Sequence, residues 1–143
     1  MKKDTENLLC HCSAGLKMGE RALRLTLSHT PPGELKNLLE SAAERHAILD
    51  DEIKRLLYSE RRHDKAPSPI INLMSDAKIK AALTLNGSRS TIASLMTDGC
   101  NMGAKSVSHY LNKYPTAGAA AQVLAQRIIK TEDTLRDQLK KYL

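Results

Sequence analysis

Two features of this chain carry residue types able to do chemistry: the run Cys10-His11-Cys12 and the isolated His46. Two thiols flanking an imidazole suggest a metal or redox site. On a helix, residues i and i+2 point about 200° apart, so Cys10 and Cys12 can neither chelate one ion nor close a disulfide. The run also lacks the Cys-x-x-Cys-His spacing that attaches a c-type haem. Cys12 therefore reads as a small core residue, and Cys100 as one bordering the core. His46 stands where an apolar residue is expected. Its plain explanation is a buried imidazole satisfied by a carboxylate, with Glu132 or Glu20 as the partner. No glycine-rich loop joins a strand to a helix, so nucleotide-binding motifs are absent. A nucleophile–base–orienter set would have to be chosen freely from scattered Ser and His residues, and no catalytic residue is assigned.

The elements that must position these groups are helices. The 143 residues fit one domain, 1–143, with a sizeable core. Aromatics make up only 3%, with four Tyr and neither Phe nor Trp, which argues against a β-sandwich or barrel. Leu, Ile, Ala and Met, all compatible with helices, must fill the interior. The net charge of +6 raises the question of nucleic acid. The excess is spread along the chain, apart from Arg61, Arg62 and Lys65, and no basic stripe interleaves with stacking aromatics. Nucleic acid is not expected as a partner. The apolar runs fall far short of the roughly 18 residues that span a bilayer, and no signal peptide is recognisable. An odd number of cysteines, three, fits a reducing compartment, so the expected location is cytoplasmic.

Five helical segments follow from periodicity and punctuation. The first covers about 5–29, with Leu8, Leu9, Cys12, Leu16, Gly19, Leu23, Thr26 and Leu27 on one side. The second opens directly on the Pro31-Pro32-Gly33 break and runs to about 61. Its Leu35, Leu39, Ala42, His46, Leu49, Ile53 and Leu56 step by four and three in a clean seam. After a polar linker, Ser68 and Pro69 are placed to cap and open a shorter helix over about 69–85. The fourth segment, about 90–114, buries Ile92, Met96, Gly99, Gly103, Val107 and Leu111. The last, from about 116, carries Ala121, Leu124, Ile128, Leu135 and Tyr142. No stretch alternates with period two, so the fold class is all-α.

The chain also repeats itself. Gly15-Leu16-Lys17-Met18-Gly19 matches Gly99-Cys100-Asn101-Met102-Gly103, and the same offset pairs Leu8 with Ile92, Leu23 with Val107 and Pro31 with Pro115. A two-residue insertion then pairs Leu49 with Leu135 and Ile53 with Leu139. The pattern predicts two repeated helical hairpins, at about 5–61 and 90–143, joined by a crossover over about 62–89. A helix of about 17 residues within that crossover would span ~25 Å, enough to carry the chain from one end of a four-helix bundle to the other. The first and fourth segments would then run antiparallel.

The pattern Thr97-Asp98-Gly99-Cys100-Asn101-Met102-Gly103, with the short lysine-bearing helix before it and the Pro-broken hairpin after it, resembles a family of uncharacterised bacterial ferritin-like four-helix bundles. The resemblance covers nearly the whole chain and implies a fold rather than an activity. Ferritin-like di-iron centres draw one Glu from each of two helices and a Glu-x-x-His pair from each of the others. Here Ala43 stands three residues before His46, Ala104 stands where the repeat would put a counterpart of Glu20, and the position matching His46 is Glu132. Only Glu20, His46 and Glu132 remain as candidate metal ligands. No cofactor is therefore expected, with iron or manganese as the alternative.

Gly15, Gly19, Gly99 and Gly103 each cost about 0.8–1 kcal/mol relative to Ala inside a helix, and something must offset that. Close helix–helix contact is one explanation, with Gly15 near Gly103, Gly19 near Gly99, and the first and fourth segments as the closest pair. Room for a ligand or a partner helix is the other. The expected function is a non-enzymatic bundle acting through self-association, as a homo-oligomer, or through a protein partner. The alternatives are a metal-binding or redox stress protein built on Glu20, His46 and Glu132, and a spore- or envelope-associated structural protein.

Overall fold

A computed structural model describes residues 2–59 and 76–143. Its helices are α1 (Lys3–Leu27), α2 (Glu34–Ser59), α3 (Asp76–Leu85), α4 (Arg89–Lys113) and α5 (Ala119–Leu139), and a 3-10 turn follows at Lys140–Tyr142. Among the described residues there is no strand, and no helix is long and apolar enough to cross a membrane. The expected cap at Ser68 and opening at Pro69 lie outside the described residues.

Turn chemistry moves several boundaries from their expected places. α2 does not open on the prolines. Gly33 takes φ +147°, a left-handed conformation that only glycine adopts readily. Its carbonyl accepts the Asn37 amide, and the helix starts at Glu34. α4 is capped by Ser88, whose hydroxyl accepts the Thr91 amide at 3.2 Å. α5 starts three residues later than expected, because the Ala117 amide closes a turn on Tyr114 and the Gly118 amide donates to Thr5 Oγ1 at 2.7 Å.

The helix directions follow from these and similar contacts. At one end of α1, Thr5 meets Gly118 and His11 stacks on Tyr110. At the other, Leu23 shares a cluster with Ile92, Ala93 and Met96. α1 and α4 therefore run in opposite senses. α2 and α5 do likewise, since Glu52 pairs with Arg127 and His46 with Glu132. α3 buries Ile79 and Leu83 at the end of the bundle where α4 begins, and Arg21 of α1 holds Asp76 at its start.

The seam residues fill two separate apolar clusters. One contains Leu16, Leu49, Val107 and Ile128. The other contains Leu23, Ala43, Cys100 and Leu135. On all four long helices the break between clusters falls at the same height, beside Gly19, His46, Gly103 and Glu132.

Candidate functional site

That break is occupied by an ion pair. His46 and Glu132 are 2% and 6% exposed, and His46 Nε2 is in direct contact with Glu132 Oε1. The other ring nitrogen, Nδ1, donates to the Ala42 carbonyl at 2.7 Å, one helical turn back. A carbonyl at one nitrogen and a carboxylate at the other both call for a donor, so this geometry favours the imidazolium form. Burial alone would lower the His46 pKa. The Glu132 hydrogen bond and charge, the Ala42 carbonyl and the Glu20 charge outweigh burial and raise it.

Cys100 of α4 lines the same cavity as Glu132. Burial first, then the Glu132 charge and hydrogen bond, push its pKa well up, with Arg136 opposing. Burial likewise pushes the Cys12 thiol up to about 12. Cys10, Cys12 and Cys100 are all buried, and the raised values of Cys12 and Cys100 leave these two without the thiolate character that nucleophilic or redox chemistry requires.

Each member of the pair lies over a glycine of its neighbouring helix. A Cβ at Gly19 would stand 2.9 Å from His46 Cδ2, and one at Gly103 would stand 3.3 Å from Glu132 Oε2. Gly19 and Gly103 belong to the two matching Gly-x-x-x-Gly stretches of the sequence, Gly15–Gly19 and Gly99–Gly103. Gly15 differs, because a Cβ there meets nothing within 4 Å. The mutual α1–α4 glycine contact is thus not what the structure places at Gly15, where there is open space. At Gly19 and Gly103 the close neighbours are side chains of α2 and α5. α1 packs most extensively on α2 and α4 on α5, rather than α1 on α4.

Between α1 and α4 the glycines leave a cavity of about 70 Å³, whose lining includes Gly15, Gly19, Gly99 and Gly103, with His46 and Glu132 on its wall. All four glycines are half-buried, so the space leads inward from the surface. His11 borders the same space, its ring stacked on Tyr110 at 3.7 Å. Burial, then Lys113 and His109, hold its pKa below the usual histidine value. The Cys10-His11-Cys12 run thus places a neutral aromatic ring at the cavity and two thiols in the interior.

Of the three candidate metal ligands, the structure joins two. The Glu20 carboxylate instead accepts from Arg24 at 2.9 Å. Among the described residues no group of three or more His, Cys, Asp or Glu side chains is arranged to hold a metal ion. With Nε2 of His46 closed on Glu132 and alanines at positions 43 and 104, the residues present do not fit a di-iron centre of the ferritin type.

A second buried polar pair has no counterpart in the sequence reading. Ser13 Oγ donates to Asp50 Oδ1 at 2.5 Å, and Lys54 holds the other oxygen at 2.8 Å. Asp50 lies one helical turn beyond His46, and Ser13 beside Cys12 and Leu16; that placement on the seams was the available signal.

Comparison with family models, curated proteins and solved structures finds no match to this chain.

Proposed function

We propose that the chain is a ferritin-like four-helix bundle of two repeated hairpins that acts by binding rather than turnover, engaging its own copies or a protein partner over the α1–α4 face. The opposite directions of α1 and α4, and of α2 and α5, support the ferritin-like arrangement. Binding without turnover is supported by the state of the reactive groups. The Cys12 and Cys100 thiols are held protonated, and the buried imidazole is committed to Ala42 and Glu132.

The observation that carries the choice of face is Gly15, where a helix-interior glycine leaves space that no other side chain among the described residues fills. Half-buried Met18, Ala22 and Leu25 continue this face along α1, and Leu95 and Met102 continue it along α4. Methionines suit such a surface because their flexible thioethers adapt to different partners.

Sedimentation equilibrium over a wide concentration range tests this reading. A dimer or larger assembly is expected, shifted toward monomer by Met18→Glu or Met102→Glu. A parent chain that stays monomeric, and whose binding to co-purifying protein is untouched by either change, would overturn it. Stoichiometric iron or manganese in protein prepared without a metal-affinity tag, lost in His46→Ala, would favour a metal-binding role instead.

A further inference from the structure

We infer that the floor of the α1–α4 cavity is a binding site for a compact, mainly apolar small molecule that donates one hydrogen bond to the Glu132 carboxylate. The size follows from the volume. About 70 Å³ is roughly half the ~150 Å³ apolar cavity known to take up benzene, which limits the occupant to a few heavy atoms. The apolar character follows from walls of glycine with Leu16, Leu23, Met96 and Val107.

The donor requirement follows from Glu132. An ionised carboxylate only accepts hydrogen bonds, and has about four lone-pair positions for them. His46 supplies a donor to it, which leaves accepting capacity on a side chain that is 6% exposed and lines the cavity. His46 adds no acceptor, since both of its nitrogens donate. A ligand that is itself only an acceptor, or an anion, therefore finds no donor on the ion pair. Gly15 keeps the approach open: a Cβ there would meet no other atom within 4 Å among the described residues.

Xenon, ethanol and dimethyl ether separate the parts of this inference, because the last two are isomers and only ethanol carries a donor. Each is titrated into the folded chain while the backbone amide signals of Gly15, Gly99 and Gly103 are followed by NMR. Saturable shifts are expected with all three, with ethanol binding roughly threefold to tenfold more tightly than the ether, the span expected of one added hydrogen bond. Gly15→Leu should abolish the saturable shifts, and Gly15→Ala, which adds one methyl group, should weaken them while preserving the fold. Xenon binding with equal affinity for ethanol and ether would overturn the donor to Glu132. Shifts that never saturate, or that survive unchanged in both Gly15 variants, would overturn the site.

Discussion

His46 of α2 and Glu132 of α5 face each other across the bundle, and each rests against a glycine of a neighbouring helix: Gly19 of α1 for the imidazole, Gly103 of α4 for the carboxylate. The glycines and the ion pair are therefore one arrangement. Its consequences for stability differ from site to site.

Replacing the three glycines by alanine should give three different results in urea unfolding. Gly15→Ala gains helix propensity at no steric cost and should stabilise by about 0.8–1 kcal/mol. At Gly103 the same gain is offset by a Cβ 3.3 Å from Glu132 Oε2, so the net change should be near zero. At Gly19 the obstacle is a ring pinned at both nitrogens, 2.9 Å away, and a loss of roughly 1–3 kcal/mol is expected. Equal effects at all three positions would contradict the geometry.

Breaking the ion pair from one side should be far more damaging than replacing both members. His46→Ala leaves the Glu132 charge buried without its cation, and a loss of about 3–5 kcal/mol is expected. Substituting His46→Leu and Glu132→Leu together removes both charges at similar volume and should lose much less. A double-mutant cycle measured by denaturant unfolding reads the difference as coupling between the two sites.

Stability should fall as pH rises above the ordinary histidine range. Because the folded chain holds the His46 proton more tightly than the unfolded chain, its contribution is fully present below the unfolded pKa of 6.5 and is lost as pH climbs through the raised folded value. Unfolding free energies measured from pH 6 upward should show this decline, and His46→Gln should remove it. A parent chain that gains stability over the same interval would mean the imidazole is buried neutral.

Thiol-labelling kinetics test the burial of the cysteines. With Cys12 at about 12 and Cys100 also raised, neither should react measurably with an aromatic disulfide reagent at pH 8 in the native state. Both should react at once in urea. A single fast native thiol that disappears in Cys100→Ser would show that Cys100 carries thiolate and is accessible from the cavity.

The helices were legible because their seams follow a rule that needs no tertiary information. Leu35, Leu39, Ala42, His46, Leu49 and Ile53 step by four and three, and all are buried. A histidine in that series was enough to anticipate a buried imidazole satisfied by a carboxylate, with Glu132 one of two candidates and Glu20 the other. The glycines were read less well, since their spacing alone cannot distinguish a facing backbone from a facing side chain or from empty space. Ser13 and Asp50 went unnoticed because an aspartate followed by Asp51 and Glu52 looks like a solvated face until α1 brings a hydroxyl against it. The start of α2 depended on the left-handed backbone of Gly33, which a proline pair beside it disguises.

The gap between the two apolar clusters has a consequence for how the helices are aligned along their length. Leucine-rich seams are nearly indifferent to sliding by one turn, because one leucine replaces another. The charged layer at mid-height is not indifferent. If α2 slipped about 5.4 Å along α5, the imidazolium would move to the level of Ile128 or Arg136, and Glu132 to the level of Ala42 or of the buried carboxylate of Asp50. Either outcome buries an uncompensated charge, as a polar residue placed in a coiled-coil seam does when its partner is out of step. His46 and Glu132 thereby act as a vernier mark, leaving the two halves of the molecule a single axial setting in which to close.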